Sequence, residues 1–340
     1  MTIRTAVIGF GTSGRVFHAP LTATDPDFSL DIIVTSDPTR SAAASAEYPQ
    51  TRIVGSVDEL FAASADLDLV VVGSPNRTHS SLTIRALEAG LDVLVDKPIA
   101  VTAAEAEAMI DRANDLGRRL AVFQNRRWDG DYLTIKDLIE SGRLGEVHQF
   151  ESAFEWWSPV VAKRWKDTDT FEQGGGIFYD LAPHLIDQAI QLFGPVADVH
   201  YELDSRRHGA ASDDDSFATL HHATGTRTRL WMSAVAPASR PRFRISGSER
   251  VATVLGLDPQ EPQLIEGTRP GDASYGIRAG RNVLIEGPDG TQSLPVVAGD
   301  YPGFYRALSA ALLDPSLPLP VDPWDSVEVL KIIEAGRRRD

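Results

Sequence analysis

Residues 9–14 read Gly9-Phe10-Gly11-Thr12-Ser13-Gly14 directly after the apolar run Ile3–Ile8 and open a helical stretch. Three glycines at that spacing let a strand turn sharply into a helix, so that backbone amides and the helix N-terminus face one spot. That spot suits a pyrophosphate. Glycine turns after strands are common in themselves, and the position after the first strand gives this one its weight.

A second run, Thr35-Ser36-Asp37-Pro38-Thr39-Arg40, follows the next strand. An NAD site usually carries an acidic residue there for the ribose 2′-hydroxyl, whereas a 2′-phosphate needs donors and positive charge. Ser36 and Arg40 favour NADP, and Asp37 keeps NAD open. Further on, Gly73-Ser74-Pro75-Asn76-Arg77-Thr78-His79 and Val95-Asp96-Lys97-Pro98 each end a strand. The carboxyl ends of parallel strands are where open α/β sheets bind ligands, so Lys97 faces a crevice rather than bulk water.

These motifs need a scaffold. From Ile3 to Phe123 short β-rich runs (Ile3–Ile8, Leu30–Thr35, Leu67–Val72, Asp92–Val95, Arg119–Phe123) alternate with helical stretches. Two of these, Ser80–Ala89 and Ala103–Leu116, are closed by Gly90 and Gly117. The pattern predicts a doubly wound Rossmann domain over residues 1–125. A helix at Tyr132–Ser141 then precedes strand-like runs at Glu146–Glu155, Val196–Leu203, Phe217–His222, Thr228–Ala234 and Arg242–Ser246, with a helix near Pro183–Phe193. Close spacing predicts an α+β domain over residues 126–322 with a large, mostly antiparallel open sheet, and residues 258–300 as loops and weak edge strands. An amphipathic helix in 323–340 is expected to pack back near the first domain. A broad sheet left partly bare predicts a homodimer or homotetramer through its face.

Composition narrows the chemistry. With 33 Lys and Arg against 48 Asp and Glu, the net charge of −15 disfavours nucleic acid and anionic membrane surfaces as partners. The 340 residues contain no cysteine, which excludes disulfides, thiolate catalysis and cysteine-bound metal centres. No apolar run reaches membrane length, and the N-terminal one is too short for a signal peptide core, so a soluble, cytoplasmic protein is expected.

In order and spacing, the glycine loop, Ser74-Pro75-Asn76 with His79, Asp96-Lys97-Pro98 and Gly174-Gly175-Gly176-Ile177-Phe178-Tyr179-Asp180-Leu181-Ala182-Pro183-His184 resemble the glucose-fructose oxidoreductase and inositol dehydrogenase (Gfo/Idh/MocA) family over nearly the whole chain. Phe17-His18-Ala19-Pro20, Asp96 where many relatives carry Glu, and Asn125-Arg126-Arg127-Trp128-Asp129 are similar to the subgroup containing NADP-dependent scyllo-inositol dehydrogenase. The resemblance implies a catalytic set of Lys97, Asp180 and His184. It implies NAD(P) contacts from Gly9, Phe10, Gly11, Thr12, Ser13, Gly14, Ser36, Arg40, Ser74, Pro75, Asn76, His79, Asp96, Lys97, Pro98 and Asn125. Substrate contacts would come from Arg126, Trp128, Trp165, Tyr179, Asp180 and His184, the last two doubling as catalytic groups.

Independent chemistry agrees with the catalytic set. Oxidising a secondary alcohol of a sugar or cyclitol needs a base for the hydroxyl proton, here His184, and a cation beside the developing alkoxide, here Lys97. Asp180, four residues before His184, would share its helix face and orient the ring, although Pro183 threatens to break that helix. No zinc-ligand spacing occurs, and no metal is expected. Trp156 and Trp157 face opposite sides of a strand, so at most one can line a pocket. Arg164-Trp165-Lys166 reads as a substrate loop or an exposed basic turn. Asp213-Asp214-Asp215 reads most simply as a solvated turn, and His221-His222 needs no ligand. Two other functions stay open: glycoside cleavage through transient oxidation of the sugar, and NAD(P) sensing without catalysis, although sensing relatives tend to lose the lysine and histidine.

Overall fold

β-branched runs of four to seven residues, apolar on both faces, are the signature of strands buried beneath helices on either side. In the computed structural model, which describes residues 2–162 and 165–337, five such runs form β1 (Ile3–Ile8), β2 (Phe28–Val34), β4 (Leu69–Val72), β5 (Asp92–Asp96) and β6 (Leu120–Phe123), joined by the shorter β3 (Arg52–Val54). They pair in parallel in the order β3-β2-β1-β4-β5-β6, so the order reverses at β1 and β4. Both the glycine loop and the Gly73 run leave the sheet at this switch point, where such folds bind nucleotides. The three-residue β3 escaped the sequence reading because a run that short shows no period.

A second sheet, β14-β13-β12-β11-β7-β10-β9-β8, is built from β7 (Val147–Glu155), β8 (Val196–Asp204), β9 (Asp215–His222), β10 (Arg227–Ser233), β11 (Phe243–Gly247), β12 (Val251–Val254), β13 (Asn282–Gly287) and β14 (Gly290–Pro295). Its pairings are antiparallel except β7 with β10. The helix Gly176–Phe193 packs on β7, β9 and β10. It begins seven residues before the expected start and continues unbroken through Pro183. Most of its residues are buried, and packing on every side holds the turn that the missing N–H would weaken.

Two compact units emerge, and their boundaries differ from a simple cut near residue 125. Gln260–Tyr275 and Asp300–Val327 belong with Met1–Asn125, while Arg126–Pro259, Gly276–Gly299 and the chain from Glu328 onward form the other. The reason is aromatic packing. Helix Tyr301–Leu313 sets Phe304 5.0 Å from Phe123, Tyr305 5.5 Å from Phe28 and Tyr301 6.0 Å from Phe17, all within the first unit. The last helix, Pro323–Arg337, expected to pack back near the first domain, is divided between the units: its start through Val327 belongs with the first, and the Ile333 carbonyl accepts a hydrogen bond from the Tyr201 hydroxyl on β8 at 2.6 Å within the second.

His18 lies within this aromatic cluster, fully buried, with Nδ1 2.7 Å from the Tyr305 hydroxyl. Burial lowers its pKa from 6.5 to about 4, against the opposing pull of Asp96. The unfolded chain therefore binds a proton between these values that the folded chain refuses, and stability drops as pH falls through that window. Between pH 7 and pH 5, His18 is expected to contribute a loss of about 2 kcal/mol. Urea titrations at both pH values should show a correspondingly smaller loss in His18→Asn; equal losses in the two proteins would remove His18 as the cause.

Candidate active site

Backbone crowding shapes the first unit's site. A Cβ on Gly14 would lie 1.9 Å from the Gly9 carbonyl oxygen, and one on Gly9, whose φ is +96°, would lie 2.7 Å from that of Gly73. Only glycine lets the loop close on itself while holding the ends of β1 and β4 together. A wide, π-type turn over Ser13–His18 follows, and no side chain caps it. Amide groups at a helix start without a protein cap fit the pyrophosphate of a dinucleotide. Arg40 is exposed on the next helix, with Nη1 only 3.7 Å from where a Gly11 Cβ would stand. Asp37 is committed elsewhere: its carboxylate accepts the Arg40 amide at 2.9 Å and caps helix Pro38–Glu47. Ser36 is exposed beside it.

Around the β4 and β5 ends, Ser74, Pro75, Asp96 and Lys97 are half-buried, and Asn76 and Pro98 are buried. Asp96 accepts the Lys97 amide at 2.8 Å, and its other oxygen lies 4.0 Å from His18 Nε2. His79 was expected at the cofactor. Its ring is fully buried between the Pro98 carbonyl, 2.8 Å from Nδ1, and the Ser74 carbonyl, 2.9 Å from Nε2. Burial lowers its pKa, and a neutral ring has one N–H, so it packs behind the two loops and donates to one of these carbonyls at a time. Asn125 closes this unit, buried just after β6.

The second unit carries Asp180 and His184 one turn apart on helix Gly176–Phe193, so both project from one face. Asp180 is half-buried and lines a cavity of about 360 Å³ together with Trp156, Asp167, Arg207, Ser212 and Asp213. His184 is 4% exposed. Tyr179, expected at the substrate, is turned about 100° away around the helix. It is wholly buried with its ring edge-on to Phe171 at 4.8 Å, which is a packing position. Arg126 is buried over the Phe154 ring at 4.5 Å, and Trp128 is half-buried. Trp156, 37% exposed, supplies the one cavity wall expected of the tryptophan pair. Arg164 and the Trp165 and Lys166 side chains lie outside the described residues.

Several groups near this helix escaped the sequence reading. Arg127 forms a two-pronged ion pair with Asp187, at 2.8 and 2.5 Å. Arg242 is 1% exposed and donates to Gln188 at 2.9 Å and Ser152 at 2.5 Å, while Gln188 donates to the Arg126 carbonyl at 2.8 Å. Asp213-Asp214-Asp215, expected as a solvated turn, is a correction: Asp213 is 8% exposed and Asp214 fully buried. Asp214 accepts from the Arg207 Nε at 2.9 Å, and Arg207 also donates to Asp167 at 2.9 Å. Nothing in the local sequence marks Asp213, because its carboxylate is reached by an amide 35 residues away, that of Phe178. His222 is held between the Gly194 carbonyl and the Thr228 hydroxyl, each at 2.9 Å. Among the described residues no cluster of three His, Asp or Glu side chains could hold a metal ion.

Known proteins resemble this chain over nearly its whole length. Residues 3–124 match the oxidoreductase family model described as an NAD-binding Rossmann fold, and residues 132–253 match the GFO/IDH/MocA C-terminal domain. The chain is 41% identical to the uncharacterised oxidoreductase YdgJ of Escherichia coli (strain K12), across 98% of this chain and 95% of that one. It is 32% identical to the scyllo-inositol 2-dehydrogenase (NADP(+)) IolW of Bacillus subtilis (strain 168), across 98% and 93%. An oxidoreductase crystal structure from Bacillus cereus superposes with a TM-score of 0.86 at 26% identity, covering 100% of this chain and 97% of that one. With its NAD-binding Rossmann domain and its companion domain both matched, the chain belongs to the Gfo/Idh/MocA family of oxidoreductases.

Proposed function

We propose that this enzyme interconverts a secondary alcohol and a ketone on a neutral sugar-like or cyclitol-like polyol, with NADP favoured over NAD. The observation that carries the reading is the pair Asp180 and His184 on one unbroken helix, with Asp180 in the wall of a polar cavity of about 360 Å³. That volume accommodates a single polyol ring. The 32% identity to IolW, whose name specifies scyllo-inositol and NADP(+), supports both halves of the proposal.

When bound, the nicotinamide supplies the hydride acceptor for oxidation and the donor for reduction. The loop Gly9–Gly14 holds the pyrophosphate through its amides. Ser36 and Arg40 take the 2′-phosphate, a role helped by Asp37 being engaged as a helix cap. Lys97 sets a positive charge beside the oxygen that gains charge as the alcohol loses its proton. His184 removes that proton, and Asp180 steadies the ring as it becomes charged. Oxidation then rises with pH, since only the neutral imidazole accepts a proton.

The test is nicotinamide absorbance with a panel of inositols and sugars. Oxidation of at least one of them is expected, falling by about 10² or more in His184→Ala with loss of the pH dependence. Lys97→Ala should lose about 10² to 10³ in turnover while still binding cofactor. Wild-type turnover in either folded variant would remove that residue from catalysis, and bond cleavage without net oxidation would favour the glycosidase reading.

Arg40→Ala should weaken NADP by about tenfold to a hundredfold, the loss of a charged hydrogen bond, and leave NAD nearly unchanged. Equal losses for both nucleotides would reduce Arg40 to a support for its loop.

The proposal includes a second copy of the chain on the open face of the larger sheet. Phe217 and Trp231, directly opposed on β9 and β10 with ring centroids 5.4 Å apart, stay half-buried there, while the neighbouring pair Ala218 and Leu230 is fully buried. Light scattering should give a dimer or tetramer, and Trp231→Glu should shift it toward the monomer; a monomeric wild type would overturn this part.

A further inference from the structure

Helix Gly176–Phe193 starts without a cap of its own, because its N-cap is Gly175, which has no side chain. The missing acceptors come from a residue that follows much later in sequence. Asp213 Oδ2 accepts the Phe178 amide at 2.8 Å, and the Asp213 carbonyl accepts the Ile177 amide at 2.9 Å. The Ser216 hydroxyl donates to the same Oδ2 at 2.6 Å and fixes its orientation.

The glycine triplet makes this approach feasible. A Cβ on Gly176, whose φ is +91°, would stand 2.0 Å from Asp213 Oδ1. One on Gly175 would stand 2.1 Å from the Asp169 carbonyl oxygen. The two glycines therefore admit the carboxylate and the backing loop against the helix start. Asp180 lies one turn further along, and Asp180 and Asp213 line the same cavity.

We propose that Asp213 is a positioning residue for the reaction: by capping the helix that carries them from the loop before β9, it fixes where Asp180 and His184 stand. This rests on the roles proposed above for that pair. Charge-assisted caps hold a first turn firmly, and loss of sub-ångström placement at reacting groups lowers turnover more than ligand affinity.

The surroundings make the cap sensitive to pH. Burial pushes the Asp213 carboxyl up to about 6, with Asp214 adding to the rise and the Ser216 and Phe178 hydrogen bonds opposing it. The charged groups around it are Asp214, Asp180 across the cavity, and Arg207, whose guanidinium is shared between Asp214 and Asp167. Protonation replaces a carboxylate acceptor with a weaker neutral one at the helix start.

Hydrogen exchange of a peptide covering residues 174–182, together with steady-state kinetics, tests the assignment in the full-length enzyme. In Asp213→Ala the first-turn amides are expected to exchange at least tenfold faster, with kcat down at least tenfold and the cofactor KM within twofold of wild type. Asp213→Asn keeps a neutral acceptor of the same shape. It should recover most of the protection and turnover, and its protection should no longer fall between pH 7.5 and 5 once intrinsic exchange rates are divided out. Wild-type protection and kcat in Asp213→Ala, or an Asn variant as impaired as Ala, would overturn the proposal. Should Asp213→Ala fail to fold, the Asn variant still decides it through the pH dependence of protection. Exchange needs no substrate, so a wild type that oxidises no polyol would sink the functional reading while leaving the cap to be judged on its own.

Discussion

Every helix begins with amide groups that its own backbone does not satisfy, and both units are organised around where two such groups point. In the first unit the turn beginning at Ser13 has no side-chain cap, and glycines at 9 and 14 clear the space before it. In the second, the corresponding amides of Ile177 and Phe178 are taken up by Asp213. One helix start is shaped to receive an anion from outside, and the other is closed by an anion of the protein's own. The difference fits the work proposed for each helix: a nucleotide site must open and reload, whereas side chains that move protons have to stand still.

Much of the fold was legible because it is written in local periods. Five of the six parallel strands, the helix Ala103–Asp115 with its Thr102 and Glu105 capping box, and the strand run from Val196 to Gly247 carry their pattern in contiguous residues. The four-residue step from Asp180 to His184 is local too, and it survives because a buried helix tolerates Pro183. Long-range contacts left no such trace. Asp213 and Asp214 look like a hydrated turn until their partners are known, since a buried carboxylate and a solvated one are spelled alike. His79 and Tyr179 sit inside the motifs that carry the family resemblance, yet both are wholly buried, and a motif does not record which way a side chain points. The assignment of Asp300–Val327 to the first unit likewise depends on aromatic rings meeting across the fold.

Behind helix Gly176–Phe193 the packing is unusually polar. Arg242, buried and with its pKa lowered to about 10 by desolvation, donates through its two terminal nitrogens to Ser152 and Gln188, and Gln188 in turn holds the Arg126 carbonyl. An apolar core there would be no less stable, because desolvating a guanidinium costs about as much as its hydrogen bonds return. What such a network adds is geometry: each bond admits only a narrow range of positions, while apolar side chains slide with little penalty. Gln188 is on the same helix as His184, one turn later, so this network holds that helix along its length while Asp213 holds its start. Two polar anchors on one helix leave it little freedom to shift along its axis or rotate about it. The roles proposed for His184 and Asp180 call for that constraint, since proton transfer depends on distances far smaller than the play available in an apolar seat.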